Sequence, residues 1–331
     1  MRLIGALLIV FGLALGGAGA LTYHWYRQPL PLPATPFDFD VRAGSTLSAV
    51  ARELRDAGVI AHPLALVALA RIKGVDRTIK AGSYEITEGI TLPQLLAKLT
   101  QGDVTQSSVT IVEGTTFADL KRTLRETNAL AHTIADVPEA ELMTRLGIAQ
   151  PNPEGLFFPD TYFFASGSAD VALLKRAHRA LDDRLRAGWE RRASDLPLST
   201  PYEALILASI VEKETGRSSD RPLIASVLIN RLKRGMRLQV DPTVIYGIGE
   251  KFDGNLRKRD LEADSVYNTY MRDGLPPTPI ALPSQASLDA VLNPPATSYL
   301  YFVSRGDGTS EFSSTLADHN RAVSKYQKGG R

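Results

Sequence analysis

One carboxylate breaks into an apolar run. In Leu205-Ile206-Leu207-Ala208-Ser209-Ile210-Val211-Glu212-Lys213-Glu214 the first charge arrives at Glu212. Thr200-Pro201-Tyr202-Glu203, just upstream, has the marks of a helix start. Thr200 suits the N-cap, Pro201 the first helical position, and Glu203 completes a capping box. Gly216 suits the position past the helix end. The helix predicted over residues 202–215 is apolar nearly all round, which marks a buried helix. Glu212 shares a face with Ala208 and Ser209, small residues that leave room beside it for another group. An apolar setting favours a protonated carboxyl, the form that donates a proton to a leaving oxygen. From these residues alone a buried ion pair is the stronger reading of Glu212, with catalysis as the alternative. Glu203 is a cap. Glu214 lies about 160° around the helix and reads as solvent-facing or paired with Lys or Arg.

Further polar residues could serve a sugar ligand. Asp241-Pro242 opens a short helix, so Asp241 is either an N-cap or a second carboxylate. Tyr246, Asn268 and Tyr270 read as sugar binders or as core hydrogen-bonding groups. Residues 154–162, rich in Phe and Tyr, read as a packed hinge or as aromatic cleft lining that stacks on sugar rings. The Pro-rich stretch 274–283 reads as a rigid cleft wall. The His residues (His24, His62, His132, His178, His319) never stand at i, i+3 or i+4 spacing, so no helical metal-ligand pair exists. The absence of Cys excludes disulfides, thiolate catalysis and Cys-bound zinc. No phosphate-binding loop or nucleophile elbow occurs. A net charge of +2 gives no nucleic-acid footprint. No metal or cofactor is expected.

A chain of 331 residues is long enough for two or three domains. Residues 3–23 carry no charge and match the roughly 20 residues that cross a bilayer as a helix. Tyr23, Trp25 and Tyr26 follow as an interfacial belt. A cleaved signal peptide, cut near Ala18-Gly19-Ala20, is the rival reading, and either one exports the remainder. Pro29, Pro31, Pro33 and Pro36 suggest a semi-rigid polyproline spacer.

Residues 37–107 read as a small α/β domain. Phe37, Phe39 and Val41 alternate with polar residues as in a strand, and Leu47, Val50, Ala51 and Leu54 recur at helical spacing behind a Ser45 or Thr46 cap. Helices are expected over 63–73 and 92–100, with a short strand near 79–86 between them. Past residue 108 come a strand over 108–112, a helix capped by Thr115 or Thr116, a charged helix over 170–192 read as a solvated face, and a hairpin turning at Gly306-Asp307-Gly308.

Two resemblances sharpen this reading. Val41-Arg42-Ala43-Gly44-Ser45-Thr46-Leu47 with the later Ile79-Lys80-Ala81-Gly82-Ser83-Tyr84 resembles a LysM-like module, a fold that binds N-acetylglucosamine chains; a packing or spacer domain is the alternative. The run Leu207–Thr215 resembles the signature of the YceG-like endolytic murein transglycosylases (the MltG family). Val227–Leu232, Met236–Gly247, Tyr267–Tyr270, Gly274–Ile280, Asn293-Pro294 and Tyr299–Val303 match in the same order, with Val240 and Pro295 as departures. The likeness runs over essentially the whole chain.

That resemblance implies an α+β fold: an N-terminal transmembrane helix (1–26), a Pro-rich linker (27–36), a LysM-like α/β domain (37–107) and a mixed catalytic domain (108–331) around a buried helix. It implies Glu212 as catalytic residue in lytic transglycosylation of MurNAc-β-1,4-GlcNAc bonds, leaving 1,6-anhydroMurNAc ends. Leu238-Gln239 and Tyr267-Asn268 are similar to the Gln and Tyr-Asn motifs of lysozyme-like lytic transglycosylases. Gln239, Asp241, Tyr246, Asn268 and Tyr270 are therefore the expected substrate binders. The inner membrane, with the catalytic domain in the periplasm, is the expected location, and penicillin-binding synthases are the implied partners. Two other functions fit the same residues. One is a muramidase in which Asp241 positions water; the other is a non-catalytic peptidoglycan-binding scaffold.

Overall fold

The structure, a computed structural model, describes residues 26–41, 44–80, 82–101, 106–165, 167–215, 217 and 219–328. The anchor expected over 3–23 and the helix-end Gly216 lie outside them. Among the described residues no helix is long and apolar enough to cross a membrane. The architecture is mixed α+β: helices predominate, and the strands form two-stranded sheets. The chain divides into two compact units. One holds the chain up to Ser108 with Tyr162–Ser168; the other holds Val109–Thr161 and everything from Ala169 onward. The sequence reading ends its α/β domain at residue 107 and keeps 162–168 in the domain that follows.

In the first unit, strand β1 (Phe37–Val41) turns Phe39 and Val41 inward. Helix α1 (Leu47–Asp56) starts where Thr46 Oγ1 accepts the Ala49 N–H, and it buries Leu47, Val50, Ala51 and Leu54. Helix α2 (Pro63–Ile72) follows, then strand β2 (Gly82–Ile86), antiparallel to β1 with Phe39 opposite Tyr84. Helix α3 (Leu92–Gln101) adds Leu92, Leu95, Leu96 and Leu99 to the same core. Each fully buried leucine there stabilises the unit by about 1.5–3 kcal/mol. The proline-rich segment is not a free spacer. Leu30 donates its N–H to Ile90 O at 2.8 Å, and Leu30 and Leu32 pack on this core. Alternating prolines fix an extended backbone, but the leucines between them supply apolar surface that burial rewards.

Strand β3 (Gln106–Thr110) pairs with β4 (Thr161–Ala165), so the aromatic stretch 154–162 ends in a strand. In the second unit, helix α4 (Phe117–Glu126) carries a complete capping box of Thr116 and Asp119. Helix α5 (Glu139–Leu146) ends at Gly147, whose φ of 73° is open to glycine. Helix α6 (Asp170–Glu190) is amphipathic: Leu173, Leu174, Ala177, Leu181 and Leu185 face inward under a charged outer face. Helix α7 (Pro201–Glu214) is buried at every position from Ala204 to Val211. It is enclosed by α6, by α8 (Arg221–Lys233), by α9 (Asp241–Ile248), and, past the short α10 (Lys258–Leu261), by α11 (Gln285–Leu292). The hairpin β5 (Tyr301–Ser304) and β6 (Ser310–Ser313) turns where the glycines predict, and α12 (Leu316–Val323) packs against it.

Candidate active site

Glu212 projects from the last turn of α7 to where two other helices begin. Arg221, the first residue of α8, donates from Nη2 to Glu212 Oε1 at 2.9 Å. Ser284, the N-cap of α11, donates to Oε2 from its backbone N–H at 2.9 Å and from its hydroxyl at 2.5 Å, and the Ser287 hydroxyl donates to the same oxygen at 2.7 Å. The carboxylate thus occupies the positive end of a helix dipole while facing a guanidinium. The side chains of Glu212 and Arg221 are only 5% and 12% exposed, so water does little to weaken these contacts.

The neighbouring backbone is fitted closely around this carboxylate. Gly114 donates to Leu282 O, and Leu282 donates to Thr115 O, both at 2.8 Å. This brings Gly114, at φ 73°, so close that a Cβ there would stand 3.6 Å from Glu212 Cγ. Lys213 Nζ ties the same glycine carbonyl at 3.0 Å. Ser209 fills the small-residue face: its hydroxyl donates to Ile206 O and accepts the Ile280 N–H.

The apolar surroundings predicted for Glu212 are overturned. The helix is apolar, but its last turn reaches past the core to donors brought from residues 221, 284 and 287. The structure supplies an ion-pair partner, Arg221, for a carboxylate that stands where three helices meet. Arg221, Ser284 and Ser287 were missed. Signals for them existed: Pro222 marks a helix start directly after Arg221, and Ser284-x-x-Ser287 has N-cap spacing. Neither signal points to Glu212, since the partners lie 9, 72 and 75 residues away along the chain.

The expected sugar binders fall into separate groups. Gln239 is exposed and holds a left-handed φ of 50°, a conformation that costs energy for any residue but glycine. Its Oε1 accepts from Arg231 Nη1 at 3.4 Å. Asp241 is not an N-cap: it is the first residue of α9, and its Oδ1 accepts the Tyr270 hydroxyl at 2.6 Å. Arg231 is 8% exposed and bonds the carbonyls of Leu238 and Leu300. Glu214 feels the charges of Asp241 and Arg231. It does not face solvent, as its position on the helix suggested: its Oε2 is buried without a hydrogen-bond partner. Burial, with a smaller push from Asp241, raises its pKa to about 7.

Tyr246 belongs to a third group. Its hydroxyl donates to Glu154 Oε2 at 3.1 Å, and its ring meets Tyr267 edge to face. Glu154 is 4% exposed and also accepts the Phe117 N–H at the start of α4. Burial outweighs these donors and raises the Glu154 pKa to about 7. Asn268 is not a ligand-facing group. It is 1% exposed; its amide N–H groups bond the carbonyls of Leu261 and Ala263, and its oxygen accepts the Tyr270 N–H. Its amide is spent on closing the 261–270 turn. Among the described residues no cluster of acidic and His side chains could hold a metal.

A helix-rich unit that delivers one donor-held glutamate to the junction of three helices characterises this chain, and its sequence matches the YceG-like family over residues 39–325. The chain belongs to that family. It is similar to the endolytic murein transglycosylase of Bacillus subtilis (strain 168), at 32% identity over 88% of this chain and 85% of that protein. It is also similar to the endolytic murein transglycosylase of Streptococcus pneumoniae serotype 2 (strain D39), at 26% identity over 96% of this chain and 64% of that one. The crystal structure of a yceG-like protein from Listeria monocytogenes matches with a TM-score of 0.54 and 28% identity, covering 87% of this chain and 98% of that chain.

Proposed function

We propose that this protein is an endolytic peptidoglycan lytic transglycosylase in which Glu212 serves in turn as acid and base. The relatives' named activity supports the reaction class. The observation that carries the assignment to Glu212 is the meeting of α7, α8 and α11 on that one carboxylate.

Glu212 gives its proton to the oxygen bridging MurNAc and GlcNAc as the C1–O bond breaks. The GlcNAc hydroxyl leaves, and C1 carries oxocarbenium character. The carboxylate formed then takes the proton of the MurNAc C6 hydroxyl, whose oxygen closes on C1 as a 1,6-anhydro ring. No water enters, and Glu212 ends protonated as it began. The substrate supplies its own nucleophile at high effective concentration, so a second carboxylate is not needed. The Ser284 and Ser287 donors stabilise the charge left on Glu212 midway through the cycle. The muramidase alternative has Asp241 hold the attacking water instead.

The exposed Gln239 and Asp241, with Tyr270, are assigned to glycan contact. The strand-helix-helix-strand order of the first unit supports a LysM-like, glycan-binding reading. The apolar residues 3–23 support a single-pass anchor in the inner membrane with both units in the periplasm, where nascent strands emerge beside penicillin-binding synthases. Mass spectrometry of digested, uncross-linked glycan strands tests the reaction. Products lighter by one water than hydrolytic fragments are expected; hydrated reducing ends would overturn transglycosylation.

A further inference from the structure

The Arg221 guanidinium uses only part of its bonding capacity. Its Nη2 donates to Glu212, while its Nε is buried and has no hydrogen-bond partner. In a guanidinium, Nε–H and one Nη2–H point the same way along one edge, spaced for two oxygens side by side. Here Nη2 meets Glu212 Oε1, while Nε meets no acceptor. A buried, unmatched donor costs stability, so a fold that keeps one beside a reactive group invites an acceptor there.

The acceptor's chemistry follows from its neighbour. A second anion next to Glu212 Oε1 would repel it, whereas a neutral carbonyl oxygen would not. Peptidoglycan sugars carry such oxygens on their acyl arms: the 2-N-acetyl group, and the lactyl amide that bears the stem peptide. Because Nε is covered in this conformation, presenting it to a carbonyl requires the Arg221 side chain to turn, and that motion draws Nη2 away from Glu212.

We propose that Arg221 is a substrate-reading residue: its Nε/Nη2 edge takes an amide carbonyl oxygen of the glycan, and in doing so frees Glu212 Oε1 to meet the glycosidic oxygen. This rests on the lytic transglycosylase reading above.

The test replaces Arg221 by Lys in the full chain. Lysine keeps a positive charge for Glu212 but has no second donor on a planar edge. For uncross-linked strands, KM is expected to rise about tenfold, the weight of one charge-assisted hydrogen bond, with the thermal midpoint near that of wild type. A KM rise of less than about fivefold overturns the proposal. Strands stripped of stem peptides, which carry a free lactyl carboxylate, identify the source. If the R221K penalty persists on them, the N-acetyl carbonyl is the acceptor; if it disappears, the lactyl amide is.

Should R221K fold poorly, the wild-type chain decides. Its Arg221 Nε–H resonance is expected to shift when a peptide-bearing GlcNAc-MurNAc disaccharide is titrated in, and an unmoved resonance at saturation overturns the proposal. A wild type that cuts no strands defeats the functional reading separately, and the titration still judges Arg221.

Discussion

Glu212 and Glu214 leave the same last turn of α7, two residues apart, and enter opposite surroundings. Glu212 receives a guanidinium, two serine hydroxyls and a backbone N–H. Glu214 points about 160° away and buries an oxygen that no donor meets. Residue type, helix and local exposure nearly coincide, yet one carboxylate has its charge solvated by the protein and the other does not. What a helical glutamate can do is decided by the elements that arrive beside it from distant sequence. The sharpest way to break this contrast is to neutralise each member. Glu212→Gln keeps the shape and removes the transferable proton, so strand cleavage is expected to fall about 10²–10⁴-fold, the usual share of acid–base catalysis. A variant that still shortens strands at a tenth of the wild-type rate would detach Glu212 from the chemistry.

Glu214→Gln should act on stability and on its pH dependence. The carboxyl's ordinary value of 4.5 rises to about 7 in the folded chain. The folded state therefore binds this proton more tightly than the unfolded state. The stability it contributes is fully present below about pH 4.5 and is lost as pH rises through about 7, a loss of roughly 3 kcal/mol. Glu154, raised to about 7 by burial, has the same sign. Urea midpoints of the wild type should fall between about pH 5 and 8. Glu214→Gln should match wild type at the acid end, exceed it at the alkaline end, and keep only the slope due to Glu154. Equal slopes in variant and wild type would show that Glu214 is not the buried acid described.

A smaller effect separates the donors of Glu212. Ser287→Ala removes one of its hydrogen bonds while the Ser284 and Arg221 contacts remain. Cleavage is expected to slow about tenfold, as for one hydrogen bond to a charged group. Unchanged kinetics would mean that Ser287 only completes the start of α11.

The elements legible in the sequence were those whose pattern is local. Helices α1, α3, α4 and α6 show apolar faces, and Thr46, Thr116 and Thr200 cap as their positions predict. Glu203 departs slightly, since its carboxylate returns to the Ser199 N–H. From the sequence no helix is expected at α8 or α11: part of α8 stands only as the matched run Val227–Leu232, and α11 lies between matched segments. α8 is buried continuously from Ile224 to Ile229, so it lacks the amphipathic period that reveals a helix. The site followed the same rule. Glu212 stood out because one charge in an apolar run is a local anomaly. Its partners did not, because Arg221, Ser284 and Ser287 are unremarkable in their own stretches. Asn268 misled for a related reason: an Asn in a turn-rich stretch bonds backbone carbonyls as readily as a sugar.

The smallest expected change tests whether the Gln239 group belongs to the glycan path at all. Tyr270 donates to the exposed Asp241 Oδ1, and burial with that bond pushes the phenol pKa upward, so at neutral pH the hydroxyl stays protonated and keeps donating to Asp241. Tyr270→Phe keeps the ring and deletes one hydrogen bond, which should lower stability by about 0.5–1.5 kcal/mol. If Asp241 and Tyr270 act on sugar hydroxyls, freeing Asp241 from its phenol partner also changes KM severalfold while kcat holds, because the lost contact positions substrate without touching the proton path. If the pair only ties the start of α9 to the 268–270 turn, the denaturation midpoint moves and KM does not. The two outcomes separate on one variant, and the second would confine glycan recognition to the surroundings of Glu212 and Arg221.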